Sequence, residues 1–188
     1  MRPPRPTASL FLAVVLCACA PVPAPVASQV AAGARQPSPV VGLAPQGGVE
    51  TARVVRVVDG DTLIIDRGQG RERLRYIGID APESVKPDTP VEFMGMEASA
   101  ANAAMVEGQT VFLETDVSDR DRFDRLLRYV WLRDGAQWTF VNLELVRQGY
   151  AQVSTFPPDV RWRDAFRNAQ RVARDAGIGL WGPATPAP

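Results

Sequence analysis

Asp61, Asp80 and Glu83 are the carboxylates whose positions suggest joint chemistry. Asp61 falls in Asp59-Gly60-Asp61-Thr62, a hairpin-turn signal between two β-branched runs. Asp80 and Glu83 flank Ala81-Pro82, where a third such run stops. Oxygen donors of this kind suit a hard cation, Ca²⁺ or Mg²⁺. Arg75 lies five residues before Asp80, and Arg125 ends the polar loop Asp116 to Arg125. A guanidinium that stays charged and forks onto two oxygens is a natural partner for phosphate. Two carboxylates with a cation, a third carboxylate and two arginines form a set able to hydrolyse a phosphodiester. The chain contains no histidine, which excludes Ser-His-Asp and Cys-His catalysis, an imidazole base and His-ligated zinc.

Each of these residues has a plainer reading when taken alone. Asp-Gly pairs make turns for conformational reasons only. Arg75 reads equally as an outward-facing strand charge. The run Asp119-Arg120-Asp121-Arg122-Phe123-Asp124-Arg125 alternates sign and reads equally as a solvated loop paired with itself. Their combination, and the elements that position them, must decide.

Val54 to Val58, Leu63 to Ile65 and Arg73 to Ile79 read as three strands, and Thr110 to Glu114 and Leu126 to Leu132 as two more. Glu92 to Glu107 reads as a helix with Met94, Ala98, Ala101 and Met105 on one face and Gly108 as its stop. Asn142 is expected to cap a short helix through Arg147, ended by Gly149. Asp159 is expected to cap a third helix whose apolar stripe runs from Trp162 through Phe166, Ala169 and Ala173 to Ala176. Arg163, Arg167, Arg171 and Arg174 occupy the opposite face, a solvated stripe or a contact for polyanions. This order suits a small barrel carrying helices. One geometric conflict stands out: on a regular strand Arg75 and Asp80 face opposite sides, so their convergence calls for either a bulge at Gly78 or an Asp80 that lies past the strand end.

The 188 residues carry 21 Lys+Arg and 21 Asp+Glu, but the balance is uneven along the chain. Arg2, Arg5 and Arg35 precede Glu50, the first acidic residue, so residues 50–188 hold 18 cations against 21 carboxylates. Net charge therefore supplies no general attraction for nucleic acid, and any such attraction must be local. Lys86 is the only lysine. Both cysteines, Cys17 and Cys19, close an apolar run that follows Arg2 and Arg5 and is too short to span a bilayer. The ending Leu16-Cys17-Ala18-Cys19 resembles a bacterial lipobox, which implies export and a lipid anchor at Cys19, with simple secretion as the alternative. Residues 1–19 are thus expected to be a signal, and residues 20–49, rich in Pro and Ala, a disordered tether. Residues 50–182 are the expected folded domain and residues 183–188 a structureless tail.

The domain resembles the staphylococcal nuclease family. The resemblance rests on Val58-Asp59-Gly60-Asp61-Thr62, Arg75 through Asp80-Ala81-Pro82-Glu83, Gly95-Met96-Glu97-Ala98 and Asp121-Arg122-Phe123-Asp124-Arg125-Leu126, in the family's order. It continues through Leu145-Val146-Arg147-Gln148-Gly149-Tyr150-Ala151 to Gly179-Leu180-Trp181. It implies an OB-fold barrel of five strands with three helices, and a Ca²⁺-dependent nuclease acting on DNA and RNA to leave 3′-phosphates. It assigns Asp61 and Asp80 as metal ligands, with Ala81 contributing its backbone carbonyl where the best-known member has a threonine. Arg75 and Arg125 match the phosphate-binding arginines, and Glu83 the glutamate that positions or deprotonates the attacking water. Arg122 and Phe123 stand where that member has a Lys-Tyr pair. Thr155 and Pro157 replace its two base-stacking tyrosines, leaving Phe156 as a substrate-contacting aromatic. The rival reading is a non-catalytic OB-fold module that binds nucleic acid or protein, which has no need of Glu83.

Overall fold

The computed structural model describes residues 42–84 and 90–183. The signal with Cys19, the tether up to residue 41, Lys86 and residues 184–188 lie outside the described residues. The ordered elements are β1 (Val49–Asp59), β2 (Thr62–Asp66), β3 (Arg71–Tyr76), β4 (Ile79–Asp80), α1 (Gly95–Val106), β5 (Thr110–Glu114) and β6 (Leu126–Asp134). They continue with β7 (Gln137–Phe140), α2 (Val141–Arg147), β8 (Gln152–Val153) and α3 (Arg163–Asp175), followed by a 3-10 turn over Gly179–Trp181.

Strands β1, β2 and β3 form an antiparallel meander, β5 returns along the first part of β1, and β6 pairs antiparallel with β5. Closure depends on β6. Its first three residues pair in parallel with Leu74 to Tyr76 of β3, whereas its far half pairs with β7. The ring β1-β2-β3-β6-β5 is therefore a closed five-stranded barrel of the OB type, carrying three helices as expected. Closure leaves none of the five as a free sheet edge along its whole length.

Alternation along the strands fills the barrel. Val54, Leu63, Ile65, Leu74, Val111 and Val130 are fully buried. The aromatic side chains gather where α2 and α3 cover the barrel: Trp131 stacks on Phe140 at 4.1 Å, and Trp162 and Phe166 of the α3 region approach Phe140 at 5.3 and 5.4 Å. Such pairs add about 0.5–1.5 kcal/mol each beyond their burial.

Several expected features are corrected. The third strand does not run unbroken from Arg73 to Ile79. It stops at Tyr76, and Gly78 adopts φ 83°, a conformation available to glycine at little cost, so the chain turns before β4. Helix α1 begins at Gly95, later than Glu92, because Met94 takes a left-handed conformation that the helix cannot continue through. Its buried face is Gly95, Ala98, Asn102 and Val106, rotated from the apolar stripe expected.

Neither Asn142 nor Asp159 caps a helix. Asn142 is buried inside α2, accepting from the Val130 N–H at 2.8 Å and donating to the Ile77 carbonyl at 3.0 Å. Asp159 accepts from the N–H groups of Val117 and Ser118. In both cases a distant backbone group takes the side chain that a local helix end would have used. On α3, Trp162, Phe166, Ala169 and Ala173 are buried, but Val172 and Ala176 are exposed.

The tether expected through residue 49 is also shorter. The N–H groups of Gln46 and Gly47 donate to the Glu114 carboxylate, which is fully buried and also accepts from the indoles of Trp131 and Trp162 and from Arg161. A buried carboxylate must find partners, and this one draws residues 46–47 onto the barrel.

Candidate active site

The register of the barrel assembles the site. Thr62, the first residue of β2, pairs with Arg75 of β3, so the Gly60-Asp61 turn sits beside Arg75, and the Tyr76 N–H donates to the Asp61 carbonyl at 3.0 Å. On the other side of β3, Arg75 pairs with Leu127 of β6, which brings Arg125 alongside. β4 pairs with β8, Asp80 opposite Gln152. Residues far apart in the chain thus meet at one end of the barrel.

Arg75 joins the two aspartates. One of its terminal nitrogens forms an ion pair with Asp61 Oδ2, and the other donates to Asp80 Oδ1 at 2.7 Å. The conflict between strand parity and convergence is resolved by the break at Gly78, which reorients Asp80 relative to β3. Asp61 is only 5% exposed. Its Oδ2 accepts from the Ala81 N–H at 2.8 Å, its Oδ1 accepts from the Thr62 hydroxyl, and its own N–H donates to Asp59. Burial pushes its carboxyl up to about 7; Arg75 opposes this and the Asp59 charge adds to it.

Two glycines permit these approaches through lack of a side chain. A Cβ on Gly60 would sit 2.4 Å from that of Ala81 and 3.0 Å from that of Ala98, so the turn carrying Asp61 packs against both. A Cβ on Gly95 would lie 2.6 Å from the Glu83 carbonyl oxygen. Glu83 itself directly follows Ala81-Pro82. Its carbonyl accepts from the Glu92 N–H, and its N–H donates to the Glu92 carboxylate.

Arg125 is oriented by Asp121, which accepts from the Arg125 guanidinium at 2.7 Å and from the N–H groups of Phe123 and Arg125. The charged loop is thus partly self-paired, as one reading of the sequence allowed. It is also pinned to the barrel: Arg120 bonds Glu72 of β3, and the nearly buried Arg128 bonds Glu50 and Asp119. Arg75, Ile79, Asp121, Arg125 and Phe156 line a common open groove of about 310 Å³. Phe156, 73% exposed, forms its lip. Arg122 and Phe123 lie on the Arg125 loop outside the groove lining, where the exposed Phe123 ring packs under Arg122 and Arg125 at 4.7 and 5.4 Å.

Asp59, Thr62, Asp121 and Asn102 were not identified from sequence as parts of the site. Asn102 accepts from the Tyr76 hydroxyl and donates to the Asp59 carbonyl, tying α1 to the hairpin. Asp59, Thr62 and Asp121 fall inside the motifs that carry the family resemblance, whereas Asn102 has no such signal.

Among the described residues no three His, Cys, Asp or Glu side chains gather as a ready-made metal cage. The donors that do meet are the Asp61 and Asp80 carboxylates, drawn onto a single guanidinium beside the Ala81 backbone. An all-oxygen set with a buried carboxylate in need of positive charge fits a hard dication that completes its shell with carbonyl and water oxygens.

A closed OB barrel bearing paired aspartates and two arginines over a groove defines a phosphodiester-binding class of protein. The comparisons specify it further. The chain matches the family described as Staphylococcal nuclease homologue over residues 73–183, and it belongs to that family. It is 39% identical to the Thermonuclease of Staphylococcus intermedius over 132 residues, covering 70% of this chain and 76% of that protein. It is 38% identical to the Thermonuclease of Staphylococcus hyicus with the same coverage. It is 33% identical to Endonuclease YncB of Bacillus subtilis (strain 168) over 67% of this chain and 59% of that one. The family match begins at Arg73, so Asp61 joins the site on geometric grounds, through Arg75 and Ala81.

Proposed function

We propose that this member of the family is an exported, Ca²⁺-dependent nuclease that hydrolyses DNA and RNA to 3′-phosphate products. The protein is a hydrolytic nuclease, in keeping with its nuclease and endonuclease relatives. The observation that carries the finer reading is Arg75 linking Asp61 and Asp80 at the head of the groove that holds Arg125.

Asp61, Asp80 and the Ala81 carbonyl would hold the cation. When bound, Ca²⁺ supplies positive charge beside the scissile phosphate and offsets repulsion between the diester and its nucleophile. Arg75 and Arg125 bind the phosphate oxygens and favour the additional charge of the five-coordinate transition state. Glu83 orients the attacking water and accepts its proton. The water oxygen bonds to phosphorus, the bond to the 5′ oxygen breaks, and that oxygen takes a proton from solvent water to leave as a hydroxyl, so the phosphate stays on the 3′ side. Orientation of the water contributes to the rate alongside proton removal. Export, with lipid anchorage at Cys19, rests on the charged-then-apolar N-terminus and its lipobox-like ending.

The test is digestion of plasmid and RNA with Ca²⁺, with chelator, and by Glu83→Gln. Chelation abolishes cleavage, and Glu83→Gln lowers kcat by about 10²–10⁴ with little change in substrate affinity. Ca²⁺ also raises Tm in the parent and much less in Asp80→Ala, a readout independent of turnover. Cleavage that survives both chelator and Glu83→Gln refutes the mechanism. Binding without cleavage under every condition establishes the non-catalytic module.

A further inference from the structure

A second groove, of about 280 Å³, lies next to the site and is lined by Asp80, Ala81, Glu92, Phe93, Gln152 and Trp181, with Leu180 and Pro82 completing it. It is close in volume to the Arg125 groove, and the two meet along the short β4 segment: Ile79 lines one, Asp80 and Ala81 the other. Arg75 and Arg125 thus line one groove, and Asp80 and Ala81 the other. A phosphodiester in a chain has a nucleotide on each side, and the two grooves flank the β4 segment that carries Asp80.

The linings differ in a way that assigns their contents. The first groove has two guanidiniums and suits phosphate. Among the described residues the second has no cation in its lining and contains two carboxylates, Asp80 of the proposed cation set and Glu92 outside it, and Glu92 disfavours phosphate. It does have aromatic surface. Phe93 is 47% exposed, and its sequence neighbours Val91 and Met96 are exposed as well. Trp181 is held in place by the Arg174 guanidinium 4.1 Å over its ring, and its indole Nε1 is buried without a hydrogen-bond partner. Gln152 stands across from Asp80 in the β4–β8 pair with its side chain exposed. An apolar ring face, an exposed amide and a carboxylate acceptor together match a nucleobase, which stacks through its face and hydrogen-bonds at its edge.

We infer that this groove is a nucleobase subsite for the nucleotide on the opposite side of the scissile phosphate from the one in the Arg125 groove, with Phe93 and Trp181 as stacking surfaces and Gln152 and Glu92 at the base edge. The inference rests on the nuclease reading above. It makes cleavage efficiency depend on the base at that position and adds an aromatic contact to the exposed Phe156 ring of the Arg125 groove.

The test uses short single-stranded oligonucleotides with one cleavable linkage, carrying bases on both sides or an abasic residue on one side or the other. The parent is compared with Phe93→Ala, whose exposed ring is not required for folding, and with Trp181→Ala and Trp181→Phe. Phe93→Ala and Trp181→Ala lower kcat/KM on the fully based substrate roughly tenfold, as loss of one base stack implies, and Trp181→Phe restores most of it. The loss disappears for one abasic substrate, on which parent and variants converge, and persists for the other. An equal loss on all three substrates, or no loss on any, overturns the subsite while leaving the nuclease reading intact. Absence of cleavage by the parent overturns the nuclease reading, and the subsite with it.

Discussion

Gly78→Ala tests whether the kink that brings Asp80 to Arg75 is locked by packing or only permitted by glycine. Two costs arise at this position. The backbone holds φ 83°, where a side chain costs about 1–2 kcal/mol. A Cβ would also sit 2.4 Å from Phe166 Cε2 and 2.8 Å from its Cδ2, and Phe166 is fully buried on α3 and cannot swing outward. Overpacking of this kind adds about 1–3 kcal/mol. The expected loss is therefore about 2–5 kcal/mol, a large part of the 5–15 kcal/mol typical of a domain.

Gly68→Ala isolates the first cost: its φ is 89°, and an added Cβ meets nothing within 4 Å. Urea unfolding of the two variants and the parent gives the difference directly. Gly78→Ala is expected to unfold more readily than Gly68→Ala by about 1–3 kcal/mol. Where it remains folded, its kcat/KM falls because Arg75 and Asp80 are displaced, whereas Gly68→Ala keeps parental activity. Equal destabilisation of the two variants would mean that Phe166 yields at no cost, and the claim that α3 locks the kink would be wrong.

The ion network on the Arg125 loop gives a pH dependence. The Arg120 hydrogen bond holds the Glu72 carboxyl below its ordinary value of 4.5, and the Arg128 hydrogen bond does the same for Asp119 below 3.8. Carboxyls with depressed folded-state pKa stabilise the fold above those ordinary values and lose that contribution as pH falls through the folded-state ones. Tm should thus drop below about pH 4.5, and less steeply in Arg120→Ala; the same Tm profile in both proteins would contradict the assignment. Asp121→Ala removes the acceptor that aims Arg125 and closes its turn. KM should rise several-fold with the Ca²⁺-induced shift in Tm unchanged, and an unaltered KM would show that Arg125 needs no such orientation.

Much of the barrel was legible in the residues because its strands alternate and its turns carry glycine. Val54, Leu63, Ile65 and Leu74 announce buried strand faces, and Gly60-Asp61 a hairpin. Helix ends were misread where side chains had longer-range uses. Asn142 and Asp159 have the chemistry of caps, yet each is taken by a backbone group that only folding brings near: Val130 and Ile77 for one, Val117 and Ser118 for the other. Local pattern cannot weigh a cap against a partner 42 residues away. Asp121 was hidden for a related reason, since a charged loop looks the same whether it is solvated or built to aim one arginine.

Residue type and order alone determined that no imidazole chemistry is possible, that the reactive groups are carboxylates and guanidiniums, and that the motifs follow those of one nuclease family. Tertiary structure decided how they converge. Asp61 reaches Arg75 through the β2–β3 register, Arg125 reaches it through the parallel pairing of β3 with β6, and Asp80 through a kink at Gly78 backed by Phe166. Strand parity by itself separates Arg75 from Asp80. A left-handed glycine packed under a helix brings them together, because only a position without a Cβ can turn there.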